Sequence, residues 1–235
     1  MSEDTSHTEN LQESREQRLA MVRVTLRPMG TPMPLGLLGL AVATTGFSGL
    51  QLGIVPENEA NIIALAALVV AAPLQMLAAV FGVLARDPVA GTAMGVLGAT
   101  WALLGVATLI TPPAASSTAL GFLLLVAGVA VLVPITAALS KIVVAIVMIG
   151  SGLRFALSGI AEITGAGLAE QIAGIAGLVL AVLALYAATA LEIEDVENRT
   201  VLPLLRRGPG RLATEDNIAE QLTGVGREAG VRQQL

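Results

Sequence analysis

The chain has 235 residues, 54% apolar and 13% charged, with a net charge of −5 and a mean hydropathy of +0.78. So few charges cannot cover a soluble domain of this length, and the composition is that of a polytopic helical membrane protein, with nothing in its charge to suggest nucleic acid. The lack of cysteine excludes disulfides, thiolate nucleophiles and Cys-ligated metals, and the only histidine, His7, lies in the polar N-terminal segment, outside any apolar run.

Residues 1–30 are polar and of mixed charge, without the short basic start and apolar run of a cleavable signal. They read as a cytoplasmic tail, in which Leu11, Leu19, Met21 and Val22 could form a short interfacial helix; disorder is the alternative. Six apolar runs of about 20 residues follow, each long enough to cross a bilayer as a helix. They cover Leu35 to Val55, Ala60 to Leu84, Val89 to Leu109, Thr118 to Ala138, Ile142 to Ala161 and Leu168 to Leu191. Short turns rich in Pro, Gly, Asn and Asp separate them, so neighbouring helices are antiparallel. The expected fold is all-α: six transmembrane helices in a compact channel-like bundle over 31–204, with cytoplasmic tails at 1–30 and 205–235. Beyond Pro203 the chain is rich in Arg, Glu and Gly and reads as a mobile tail.

Cations set the orientation. Arg15, Arg18, Arg23 and Arg27 precede the first span, Arg86 and Lys141 occupy the second and fourth loops, and six arginines follow the last span. The first, third and fifth loops carry none. This alternation places both termini in the cytoplasm, in the plasma or inner membrane. Lys141 is the only lysine among many arginines, a composition that points to a GC-rich bacterial genome.

Only one cation interrupts an apolar run. Arg154 at bilayer depth costs roughly 2.5–3.5 kcal/mol on insertion scales, so it calls for a partner or a task. No Asp or Glu lies deep in any span, and Glu162 is two turns away. Arg154 therefore reads as an anion contact, with outward snorkelling as the alternative. A shift of 79 residues lays Gln75 on Arg154, Pro73 on Gly152, Gly95 on Gly174 and Gly98 on Gly177. That is the signature of a 3+3 inverted repeat, with a site near the midplane at interrupted helices, although glycine-rich chains also align with themselves by chance. At about 1.5 Å per residue, Arg154 lies roughly 12 Å from the outer end of its helix and Gln75 roughly 14 Å from the inner end of its own. Pro73 frees a carbonyl one turn earlier, and Gln75 beside it reads either as site lining or as an interhelical hydrogen bond. Trp101 lies mid-span, as a constriction or as packing. The recurring glycines read as close helix packing, and so do Ser151 and Ser158, which have neither His nor carboxylate nearby. No nucleophile–base pair, metal cluster or phosphate loop is present in the sequence, so neither an enzyme nor a cofactor is expected.

Thr31-Pro32-Met33-Pro34-Leu35-Gly36-Leu37 opens the first span, with Pro34 suited to a first helical position. This stretch resembles the N-P-x-P-L-G-L signature of the acetate uptake transporter family, which includes the bacterial succinate–acetate permeases. Gln75, Leu185-Tyr186-Ala187 and Arg199-Thr200-Val201-Leu202-Pro203 fall where that family has a glutamine, a tyrosine-containing helix end and an R-T-V-L-P segment. The resemblance implies a six-helix bundle, usually hexameric, that passes acetate or related short carboxylates with protons. It places Thr31, Pro32, Pro34, Leu35 and Gly36 at the cytoplasmic entrance, Gln75 near the pathway and Tyr186 at the end of the last span. Thr31 replaces the signature asparagine, Gly82 stands at the family's glutamate, and aromatics to build the family's pore constriction are few. A non-transporting membrane protein acting through its tails, and a pore for small neutral solutes, remain the alternative readings.

Overall fold

The computed structural model describes residues 30–85, 87–112, 115–197 and 199–207. The expected interfacial helix before residue 30, Arg86 and the chain beyond Arg207 lie outside these residues. Thr31–Arg207 form one compact unit. Helix α1 is Met33–Gln51; Pro32 caps it, Pro34 sits in its first turn, and Gly53, at φ 67°, turns the chain away after its end. Helix α2 runs Glu57–Leu84. It opens as a 3-10 turn and widens to a π segment at Ala67–Ala71, where the Ala72 N–H reaches back to the Ala67 carbonyl. Pro73 follows directly; its ring and missing N–H oppose a regular α turn, and the π segment absorbs that conflict.

Helix α3 is Val89–Ile110. Asp87 Oδ1 accepts the N–H groups of Val89 and Ala90, each at 3.0 Å, and so satisfies two free donors at its start. Helix α4 is Thr118–Ala130, with Ser117 Oγ accepting from the Leu120 N–H at 3.3 Å. The chain then turns at 131–134 and resumes as a single turn, α5, Ile135–Ala138. This corrects the expected continuous span from Thr118 to Ala138. Pro134 lacks an N–H and its ring excludes a helical carbonyl four residues earlier, at Ala130, which is where α4 ends. Helix α4 has 13 residues, about 20 Å, and does not by itself match a hydrocarbon core of about 30 Å. Helix α6 is Ile142–Thr164, ended by Gly165 in the left-handed conformation at φ 63°. Helix α7, Gly167–Glu197, has 31 residues and continues two turns past the expected end at Leu191. Among the described residues five helices, α1, α2, α3, α6 and α7, are long and apolar enough to cross a membrane.

Helix α1 packs most extensively against α7, α4 against α6, and α6 against α7; α2 packs on α1 and α3. Between α4 and α6 the backbones nearly touch, because a Cβ on Gly128 would come within 2.9 Å of the Gly152 carbonyl oxygen. This is the close approach that small residues permit in a bilayer. Large apolar side chains such as Val69, Val80, Val83, Val126 and Val182 stay exposed on the outside, the pattern of a bundle facing lipid.

The start of α1, the α2–α3 turn, the α5–α6 turn and the end of the described chain meet at one end of the bundle. Lys141 Nζ lies 3.9 Å from Asp87 Oδ2, and a cleft of about 230 Å³ is lined there by Met33, Pro88, Ser140 and Val144. After α7 the chain folds back as far as Arg207, and the remainder of the tail expected beyond Pro203 lies outside the described residues. Arg206 pairs with Glu194, Thr200 Oγ1 donates to the same carboxylate at 3.0 Å, and Tyr186 Oη donates to the Pro203 carbonyl at 2.9 Å. Leu204 is fully buried, and the Arg207 N–H donates to the Ser140 carbonyl at 2.9 Å. The R-T-V-L-P segment is thus part of the folded unit, held by the Thr200 and Pro203 hydrogen bonds and, just beyond it, by the Arg206–Glu194 pair and the buried Leu204.

Candidate functional site

Helix α6 places Arg154 about 15 Å from its Thr164 end, slightly deeper than the apolar run implied, because the helix continues past Ala161. The side chain is 1% exposed, so it does not snorkel to the surface. Its Nη1 donates to Ser158 Oγ at 3.3 Å and its Nη2 to Gln51 Oε1 at 3.3 Å. Gln51 Nε2 donates to Ser158 Oγ at 3.2 Å and closes a three-residue ring across α1 and α6. Ser158 is four residues after Arg154, on the same face of α6, which is why the two meet. The guanidinium also lies 5.2 Å from the centre of the Trp101 ring. Such a contact is worth up to about 2 kcal/mol when desolvated.

No carboxylate reaches this guanidinium among the described residues. The ion pairs they contain are those of Asp87, Glu194 and Glu197, and Glu162 Oε2 instead accepts the Ser117 N–H at 2.8 Å. Arg154 Nε finds no hydrogen-bond partner, nor do the buried hydroxyls of Thr44 and Ser48 on α1. A Cβ on Gly177 of α7 would fall 2.7 Å from Arg154 Nε and 2.1 Å from Ser48 Oγ, so only glycine admits both. A full positive charge is therefore held in a buried place by neutral acceptors and one π face. The arrangement favours an anion, since a buried charge without a counter-charge is costly.

Trp101 stacks on Phe47 at 5.6 Å and tilts against Phe155 at 5.3 Å. Three of the chain's few aromatics thus converge from α1, α3 and α6, with Trp101 presenting its ring to Arg154. Aromatics are few in this chain, and the fold brings half of its six together here.

Gln75 is fully buried on α2 between Gly39 of α1 and Gly98 of α3, and neither its Nε2 nor its Oε1 has a partner. The interhelical hydrogen bond that was its alternative reading is not made. The residues paired by the 79-residue shift have matching neighbours: Gly98 lies against Gln75, and Gly177 against Arg154. No hydrogen bond joins Gln75 to Arg154. Thr31, Pro32 and Leu35 are half-buried and Pro34 and Gly36 buried at the start of α1, at the bundle end that carries the cleft, not beside Arg154. Tyr186 is anchored to Pro203 and does not join the Arg154 cluster. Gln51, Phe47 and Phe155 were not singled out by sequence, and Ser158 was read as packing. The four-residue spacing to Arg154 was the available signal for Ser158. Gln51 carried only the signal of an amide inside an apolar run.

The fold and site together define an all-helical, multi-pass membrane protein with an aromatic-lined, uncompensated buried cation. The chain belongs to the GPR1/FUN34/yaaH family, whose model matches residues 15–204. Among solved structures it is similar to the bacterial acetate channel SatP, with a TM-score of 0.66 and 26% identity over 74% of this chain and 98% of that one. No curated protein matches it.

Proposed function

We propose that this chain is a channel or transporter for acetate and similar short-chain carboxylates, with Arg154 attracting the anion and Gln75 hydrogen-bonding it along the pathway. The observation that carries this reading is a buried guanidinium without a carboxylate, in a fold similar to that of an acetate channel. Thr31, Pro32, Pro34, Leu35 and Gly36 border the cytoplasmic entrance beside the cleft, Trp101 forms the constriction, and Tyr186 steadies the segment that closes over the same end. The working unit is 31–204, in the plasma or inner membrane of a bacterium, with both termini cytoplasmic and copies assembled as a homo-oligomer, a hexamer by resemblance. The spans hold no deep Asp, Glu or His to relay protons, so a co-moving proton needs the substrate itself or water to carry it. Neither catalysis nor a cofactor has a part in this function.

Purified protein in liposomes is expected to admit labelled acetate faster than protein-free liposomes when a pH gradient is imposed. Entry at the protein-free rate for acetate and several other short acids would overturn the reading. Within the same assay, Gln75→Leu is expected to slow acetate entry several-fold while leaving the thermal midpoint unchanged or higher. The buried amide costs about 1–3 kcal/mol while it lacks partners, and leucine removes that cost. Unchanged flux in Gln75→Leu would take Gln75 out of the pathway.

A further inference from the structure

Three groups hold the Arg154 guanidinium, and they differ in access. Trp101 and Ser158 are buried, whereas Gln51 is half-buried and is the last residue of α1. Gln51 therefore stands between the cation and the surface at that end of the bundle. Its amide is planar, and its Oε1 is presented to Arg154 Nη2 as one oxygen of a carboxylate would be. The contact is long, at 3.3 Å, and neutral, so a charged acceptor outcompetes it. Gln51 is half-buried at the end of α1, so its side chain has open space to move into when a stronger acceptor arrives. Ser158 Oγ accepts from both Arg154 and Gln51 and keeps the guanidinium oriented whichever acceptor is in place.

We propose that Gln51 is a resident stand-in for the substrate carboxylate: it occupies the Arg154 fork in the empty protein and is displaced by the arriving small monocarboxylate. Gln51 thereby sets the affinity of the site for the carboxylate. This rests on the transport reading above and adds to it the group that the substrate must replace. Trp101 is the chain's only tryptophan, so its emission reports directly on what happens at Arg154, independently of flux.

The test is a titration of Trp101 emission with sodium acetate against a constant-ionic-strength chloride background, in the full-length protein and in Gln51→Ala, Gln51→Glu and Arg154→Gln. Wild type is expected to saturate and Arg154→Gln to lose the response. Gln51→Ala should lower the half-saturating acetate concentration by about three- to tenfold, because the competitor is gone. Gln51→Glu places an internal carboxylate on the fork and should raise that concentration roughly thirtyfold or more. The two variants move in opposite directions, so a folding defect in one does not remove the test. A wild-type response in Gln51→Ala and Gln51→Glu alike, with Arg154→Gln silent, overturns the stand-in and leaves the anion site intact. A silent wild type that also fails to admit acetate into liposomes overturns the transport reading itself.

Discussion

Replacing Arg154 with glutamine is expected to cut acetate uptake into liposomes by about ten- to a hundredfold while leaving the amount of folded protein unchanged. The loss follows from removing hydrogen bonds to a charged ligand, each worth about 1.5–3 kcal/mol, at about 1.4 kcal/mol per tenfold. The folded state is spared because the variant also removes a buried charge that no carboxylate neutralises, which offsets the lost contact with Trp101. Arg154→Lys should fall between: it keeps the charge but not the planar fork that reaches Gln51 and Ser158 together. Uptake and thermal unfolding measured on the same preparations check this. Wild-type uptake in Arg154→Gln would remove the residue from the pathway and leave it a packing element.

Gly177→Val should have a large effect on folding. A Cβ there meets Ser48 Oγ at 2.1 Å and Arg154 Nε at 2.7 Å, between the two helices that pack most extensively, α1 and α7. Overpacking typically costs about 1–3 kcal/mol, and the added γ-carbons of valine take the cost to the upper end or beyond, because the Ser48, Arg154 and Thr44 side chains must all be displaced. The expected result in detergent is a markedly lower thermal midpoint by circular dichroism, or no monodisperse protein. Gly177→Ala should be milder, and combining it with Ser48→Ala should recover part of the loss by removing the atom met first. Gly95→Ala provides the contrast: its Cβ would meet only Ala79 Cβ, at 3.7 Å, so the higher helix propensity of alanine should hold or raise the midpoint. Equal effects at Gly177 and Gly95 would show that close approach at the Arg154 site does not limit stability.

The architecture was largely legible because it depends on short-range properties. Apolar run length marks spans, and proline and glycine mark their ends, so α1, α2, α3 and α6 start within three residues of the expected positions. The break after Ala130 was missed because the run from Thr118 is apolar throughout, and hydropathy does not register the missing N–H of Pro134. The ordering of the chain to Arg207 was missed for a related reason. Arg206 and Glu194 look like ordinary polar tail residues until the fold brings them into a partly buried pair.

The sequence by itself determined the membrane class, the number of apolar runs and the isolation of Arg154 from any deep carboxylate. Each of these follows from composition and from distance along one helix. Periodicity reaches Ser158, one turn from Arg154 on α6, but not Gln51 and Trp101, which packing between α1, α3 and α6 brings to Arg154 across long sequence separations. Tertiary structure alone decided that the charge lies under an aromatic face, against a glycine, with its fork held by a neutral amide. Those neighbours, more than the charge itself, determine what the site can accept.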